Sequence, residues 1–511
     1  PEVILDGFTP TADGHHTLAN GLRFGPDGWL YGRCGASSPG EIGIPGTPAD
    51  ARIPLRGTLW RYHPQHRIVE VLSSGTTNPW GHDWNSAGEL FFINTVNGHL
   101  WHQIPGAHYV RPHTIDPNPH VYALIDQHAD HWHFDTGRGW TQSRDGQANS
   151  FGGGHAHVGM MIYQGENWPP GFRDRLFTLN FHGRRMNQEI LERSGTGYVG
   201  KHGADLLVAG DPWFRGMELT AGPDGGVFVL DWSDTGECHE ATGVHRTSGR
   251  IYKIVHGKPQ PPAIVDVARL GNRELADLQA HTNNWLAHQA RVELSTRAAA
   301  GHDLTGAIGS LRARLHHGPR REDSLRALWS LHVMEAADPA MLESLLGNPD
   351  EHLRVWAIRL LTDRWPLDTV LSARPQGASA SVDAHLLDLF VQRARTDSSG
   401  LVRLTLASVL QRLPATSARV GLASALAARA EDATDHNQPQ MIWYGLIPLA
   451  DADLAALPAV ARECRLPLTL QCIARRLAED CERNPAPLNE LLRHSTEKPE
   501  AYRRSVVTGM A

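Results

Sequence analysis

Histidine dominates the residues that could do chemistry. A neutral imidazole serves as base or metal ligand near neutral pH, and 20 of the 30 histidines lie before residue 257. His15 and His16 stand together just before a strand-turn-strand pattern, where one could take a proton from a substrate; capping a strand by hydrogen bonding is the alternative. His155 and His157, in FGGGHAHVG (151–159), alternate by two. On a strand they project to one face, a spacing that suits two ligands of one metal, or simply two hydrogen-bonded inner residues. NFHGRRMNQ (180–188) concentrates His182, Arg184 and Arg185 in a turn, and WFRGMEL (213–219) offers Arg215. Arginine forks favour carboxylates, phosphates or an anionic cofactor, unless the turn is merely solvated. DWSDTGECHEATGVHRTSG (231–249) is rich enough in Asp, Glu and His to hold a cation, yet contains no CxxCH haem signature. A nucleophile elbow, a P-loop and a GxGxxG turn are all missing, so serine-hydrolase and nucleotide chemistries have no support.

The elements that must position these residues divide the chain in two. Through residue 256 short apolar runs flank tight turns: GLRFGPDGWLYG (21–32) around Asp27-Gly28, WNSAGELFFIN (84–94) around Ala87-Gly88, and MELTAGPDGGVFVLDW (217–232) around Asp224-Gly225. Each is followed by a Gly-x-Leu/Ile-Trp/Tyr strand, at 57–64, 97–104 and 248–255, and 154–165 with 174–190 has the same plan. Four-stranded units at a period of several tens of residues are the signature of propeller blades. Four are visible, at 14–76, 77–135, 150–210 and 211–256, and the start at Pro1 suggests a longer ring cut on its N-terminal side. Segment 112–152 reads as a long functional or disordered loop. After a Pro-rich linker at 257–264 the period becomes helical: 281–300, 324–334, 351–365, 383–394 and 400–413. The predicted architecture is therefore a multidomain β + α chain, a β-propeller over 1–256 and an α-solenoid of HEAT-like repeats over 265–511.

A formal charge of −7 without a run of like charges gives no reason to expect nucleic acid, and no stretch of about 18 apolar residues is present to span a bilayer. The five cysteines form no CxxC pair, which argues against a structural zinc site or a disulfide framework.

HHTLANGLRFGPDGWLYGRCG, TNPWGHDWNSAGELFFINTVNG, DRLFTLNFHGRRMN, FRGMELTAGPDGGVFVLDWSDTGECHE and HRTSGRIYKI resemble the membrane-bound dehydrogenase family abundant in planctomycetes and verrucomicrobia; DEHLRVWAIRLLTD and LVRLTLASVLQRLP resemble its HEAT-like region. More distantly, the propeller part is similar to quinoprotein glucose and sorbosone dehydrogenases, six-bladed propellers that hold pyrroloquinoline quinone (PQQ) with calcium. The resemblance implies that the blades are the last four of six. It also implies a sugar or alcohol dehydrogenase that passes hydride from a carbohydrate-type hydroxyl to a quinone, with His16, His15 beside it, as the proton acceptor. Asn78, His182 and Arg215 fall on cofactor contacts, with Arg184 beside them; Thr77 and Met217 replace arginines, and no calcium ligands are assigned around 95 to 97. A c-type cytochrome would accept electrons, and the location would be periplasmic. The alternatives are a non-catalytic scaffold binding glycan or protein at the mouth and another protein on the HEAT surface, and a metal enzyme using His155 and His157.

Overall fold

The computed structural model describes residues 2–9, 17–96, 98–112, 114–139, 142–144, 146–235, 245, 247–258, 260–264, 266–375 and 382–511. Four antiparallel meanders follow one another in the first half. Sheet A joins Asn20–Phe24, Leu30–Cys34, Thr58–His63 and Ile68–Val71; sheet B joins Pro79–Trp84, Leu90–Asn94 and Leu100–His102. Sheet C joins His157–Ile162, Arg175–Asn180, Arg185–Ser194 and Gly197–His202, and sheet D joins Gly216–Ala221, Val227–Asp231 and Arg250–Ile254.

The first strands of the four sheets line a common cavity of about 100 Å³, to which Arg23, Asp83, Met161 and Thr220 each contribute from a different sheet. All four run in one direction, so the residues preceding them gather at one end, called the mouth. Polar side chains tie the strands laterally. Asp83 Oδ1 meets Arg23 Nη1 at 3.3 Å while Oδ2 accepts from the Ile162 N–H at 2.9 Å, and Arg33 reaches Glu218 of sheet D at 3.3 Å.

At the other end the hairpin turns carry glycines because the backbone there has positive φ, +84° at Gly28, +76° at Gly88 and +74° at Gly225. Gly88 has a second reason to lack a side chain: a Cβ would lie 2.6 Å from both Trp329 and Trp356. These two indoles belong to the helical half, which docks on the turn tips. The Trp356 indole N–H donates to Ala87 O at 2.8 Å, and the Asn283 amide donates to the carbonyls of Gly222 and Pro223 at 3.2 and 3.0 Å.

Among the described residues 14 α-helices run from Asn272–Asp277 to Glu500–Met510. Short polar residues start several of them: Asp350 accepts from the backbone of His352 and Leu353, and Ser399 from that of Val402. Helices Arg321–Val333, Glu351–Leu361, Gly400–Val409 and Gln438–Ala452 pack each on the next in one row facing the sheets. One apolar core runs through both halves, from Trp29 and Phe92 to Trp356, Leu406 and Trp443. Hydrogen bonds and ion pairs cross it. Trp29 Nε1 donates to both oxygens of Asp363, Arg359 pairs with Glu89 at 2.8 Å, and Arg412 pairs with Glu70. This helical face, where a separate protein partner is an expectation, is thus covered by the chain's own sheets.

The described middle of segment 112–152 is packed against the sheets. His108 and Gly200 hold it at Ile125 and Asp130 through backbone hydrogen bonds of 2.9 and 3.1 Å, and Ile125, His128 and His133 are buried. No helix among the described residues is long and apolar enough to cross a membrane.

Candidate functional site

Most of the residues singled out by the sequence precede a first strand, and the common strand direction brings them to the mouth. Asn78 stands before Pro79–Trp84, His155 before His157–Ile162, and Arg215 before Gly216–Ala221. His182 and Arg184 occupy the turn by which sheet C returns there. His15 and His16 lie outside the described residues; Thr17 is buried at this end. Gly35 lets Thr17 and Asn78 close on one another: a Cβ there would lie 2.4 Å from Thr17 Cβ and 2.5 Å from Asn78 Oδ1.

Backbone bonds fasten this end. Thr95 N–H donates to Asn78 O at 2.9 Å, Val96 N–H to His155 O at 3.0 Å, and the Thr95 hydroxyl to His157 O at 2.7 Å. The rings of His155 and His182 lie 4.5 Å apart, and Ser143 hydrogen-bonds His155 Nδ1. Arg215 is 2 % exposed; its guanidinium donates to the carbonyls of Pro212 and Phe214, each at 3.0 Å, and sits 5.8 Å from the Phe181 ring. Arg185 is committed to Asp205 at 2.9 Å, whereas Arg184, half-buried with φ +51°, shapes the turn. In charge and chemistry the set of amide, imidazole and guanidinium suits an anionic group. The acidic loop expected to bind a cation lies mostly outside the described residues; of its described members, Asp231 accepts from the backbone of Arg215 and Ser233 and from Arg250.

His155 and His157 differ from the expectation of a same-face metal pair. Glycines 152, 153 and 154 take φ of +116°, +121° and +139°, so the chain becomes extended only at His157. His155 therefore meets His182 and Ser143, while His157 points Nε2 at His133 Nδ1, 2.6 Å away.

A different group of ligand atoms converges beside His157. Nitrogen atoms of His99, His131 and His133 and a carboxylate oxygen of Glu189 all lie within 4.8 Å of one another. Glu189 Oε1 is 3.4 Å from His99 Nε2 and 3.3 Å from His133 Nε2; its Oε2 is 3.3 Å from His131 Nε2, and the Nε2 atoms of His131 and His133 are 3.0 Å apart. The group occupies the seam between sheets B and C. His99 precedes the last strand of sheet B, Glu189 lies in Arg185–Ser194 of sheet C, and the long loop supplies the other two. Burial drives His133 down to about 3 and depresses His99 and His157, with neighbouring imidazoles adding to the effect; it opposes the charge on Glu189, but the facing imidazoles of His131 and His133 prevail and hold that carboxyl well below its usual range. His131 is raised despite its burial because Glu189 and Asp130 face it.

Spacing alone misses this group because its members come from three separated segments. One local signal is present, the HxH of HADHWHFD (128–135), which repeats the spacing at 155 and 157.

The described sheets thus carry two polar groups, one around Asn78, His155, His182 and Arg215 and one in the seam between sheets B and C. The chain belongs to the family described as Domain of unknown function (DUF7133), whose model matches residues 1–258. Similar solved structures include an oxidoreductase (glucose dehydrogenase) from Thermus thermophilus, at 19 % identity and TM-score 0.32 over 48 % of this chain and 67 % of that one. Another is the PQQ-bound aldose sugar dehydrogenase from Streptomyces coelicolor, at 20 % identity and TM-score 0.29 over 46 % of this chain and 61 % of that one. The chain thus spans about two thirds of these structures' length or somewhat less. No curated protein matches.

Proposed function

We propose that the chain is a dehydrogenase-like oxidoreductase acting on a sugar or alcohol hydroxyl at the mouth, its sheets being propeller blades and its helices HEAT-like repeats. The observation that carries this reading is the gathering of Asn78, His155, His182 and Arg215 at one end of the four first strands. In this reading an imidazole nitrogen of His16 takes the proton from the hydroxyl oxygen while hydride leaves the carbon that bears it, and the C–O bond becomes a carbonyl. PQQ, when bound, supplies the two-electron acceptor for that hydride. Asn78, His182 and Arg215 are the residues that would hold it. Arg215, fixed by backbone carbonyls, offers a pre-positioned positive charge, and His155 orients His182 by ring contact. A separate protein, such as a c-type cytochrome, takes the electrons onward, and the family resemblance favours work outside the cytoplasm.

The test is dye reduction by the purified full-length protein, supplied with PQQ and Ca²⁺, over a panel of sugars and alcohols. Turnover lost in His16→Ala supports the reading. Absence of both bound quinone and turnover overturns it.

A further inference from the structure

We propose that His99, His131, His133 and Glu189 form a binding site for a zinc-class divalent ion, which fastens the 112–152 segment to the seam between sheets B and C. The inference is independent of the oxidoreductase reading.

Ligand spacing is the first argument. Nitrogen and oxygen ligands about 2.0–2.1 Å from a tetrahedral zinc stand about 3.3 Å from one another. Four of the separations here are 3.0, 3.3, 3.3 and 3.4 Å, and no pair exceeds 4.8 Å. Each of the three imidazoles brings its Nε2 within 3.4 Å of the Glu189 carboxylate.

The second argument is a buried carboxylate whose oxygens, though close to imidazole nitrogens, make no well-aligned hydrogen bond. Glu189 is 0 % exposed, and among the described residues neither of its oxygens, nor His99 Nε2, has a hydrogen-bond partner of proper geometry. A buried carboxylate left so is costly, and a cation at the convergence point satisfies both oxygens and the imidazoles together.

The outer contacts point the same way. His131 Nδ1 lies 3.0 Å from Asp130 Oδ1, and His133 Nδ1 lies 2.6 Å from His157 Nε2. A second partner on the remote ring nitrogen fixes the tautomer that leaves Nε2 free to ligate, the arrangement usual around ligating histidines. Three nitrogens with one oxygen favour a first-row transition ion over calcium or magnesium, which prefer all-oxygen shells. His202, 4.0 Å from Glu189 Oε1, stands at the rim.

The experiment uses the full chain purified without a metal-affinity tag, stripped with a chelator and titrated with Zn²⁺ and, for its spectrum, Co²⁺. Wild type is expected to bind one equivalent, to gain thermal stability with Zn²⁺, and to give a Co²⁺ spectrum of low coordination number. His131→Ala, at the half-exposed edge of the site, should fold with an unchanged circular dichroism spectrum and lose at least about 100-fold in affinity. Asp130→Ala, which removes only the outer partner, should keep the stoichiometry and lose about 10–100-fold. Chelation should open 112–152 to protease, and Zn²⁺ should close it again. Substoichiometric binding by wild type, or affinity unchanged in folded His131→Ala, overturns the proposal.

Discussion

Arg412 of the helical half donates to both carboxylate oxygens of Glu70 in sheet A, at 2.7 and 2.9 Å, across 342 positions of sequence. Arg61 donates to the same carboxylate at 2.8 Å and also meets Asp27 and Asp363, at 3.1 and 3.2 Å. The two arginines hold Glu70 below its usual range although its burial works the other way. Removing one member of such a group strands the others in a dry interface. Glu70→Ala should therefore cost about 3–5 kcal/mol, read by denaturant unfolding, and should split the single transition as sheets and helices separate. A loss below about 1 kcal/mol would mean that the pair does not couple the halves.

Acid should weaken the same interface through His63. Its ring packs edge-on against Trp29 at 4.9 Å, and burial, helped by His66, depresses it to about 4 from an ordinary value of 6.5, with Asp363 opposing and His332 and Arg61 adding to the depression. Between those values the unfolded chain binds the extra proton, so this contribution is complete above about pH 6.5 and is lost as pH falls towards 4. Denaturation midpoints measured from pH 7 to 4.5 should fall more steeply for wild type than for His63→Gln. Parallel slopes would remove His63 as a cause.

Two glycines separate the cost of backbone strain from the cost of docking. Gly46 has φ +90° with nothing within 4 Å of a would-be Cβ, whereas Gly88 has φ +76° with two indoles at 2.6 Å. Gly46→Ala should lose about 1–2 kcal/mol from the left-handed backbone alone. Gly88→Ala should lose about 1–3 kcal/mol more by forcing Trp329 and Trp356 aside. Equal losses in thermal unfolding would show that the tryptophans yield freely.

At the mouth, His16→Ala should lower kcat by about 10²–10⁴ if it is the proton acceptor. Asn78→Ala and His182→Ala should instead weaken quinone binding, seen in titration of the apoprotein with PQQ. Unchanged quinone affinity in both would leave these side chains with a structural role.

The turns were legible because Asp27-Gly28 and Asp224-Gly225 announce positive φ by residue type, and the inner strands because apolar residues alternate up to them. Candidates such as Asn78 and Arg215 could be named because they abut those strands. The His99–Glu189 group could not. Glu189 sits in a strand where a carboxylate at an alternating position looks like one facing water, and only the docking of sheet C on sheet B buries it. His131 and His133 lie in a stretch without periodicity, which reads as a loop whether or not it is packed. The burial of one helical face against the sheets was equally hidden, since an apolar stripe does not say which surface will cover it.

The helical half caps the end opposite the mouth, where Asn283, Trp285 and His288 complete the wall of the cavity shared by the four sheets. The cavity is therefore walled at this end by helices of the same chain, whose Trp329 and Arg291 also face it. Gly88 belongs both to the wall of that cavity and to the contact with Trp329 and Trp356, so a change at this one turn tip reshapes the cavity and the join between the two halves together.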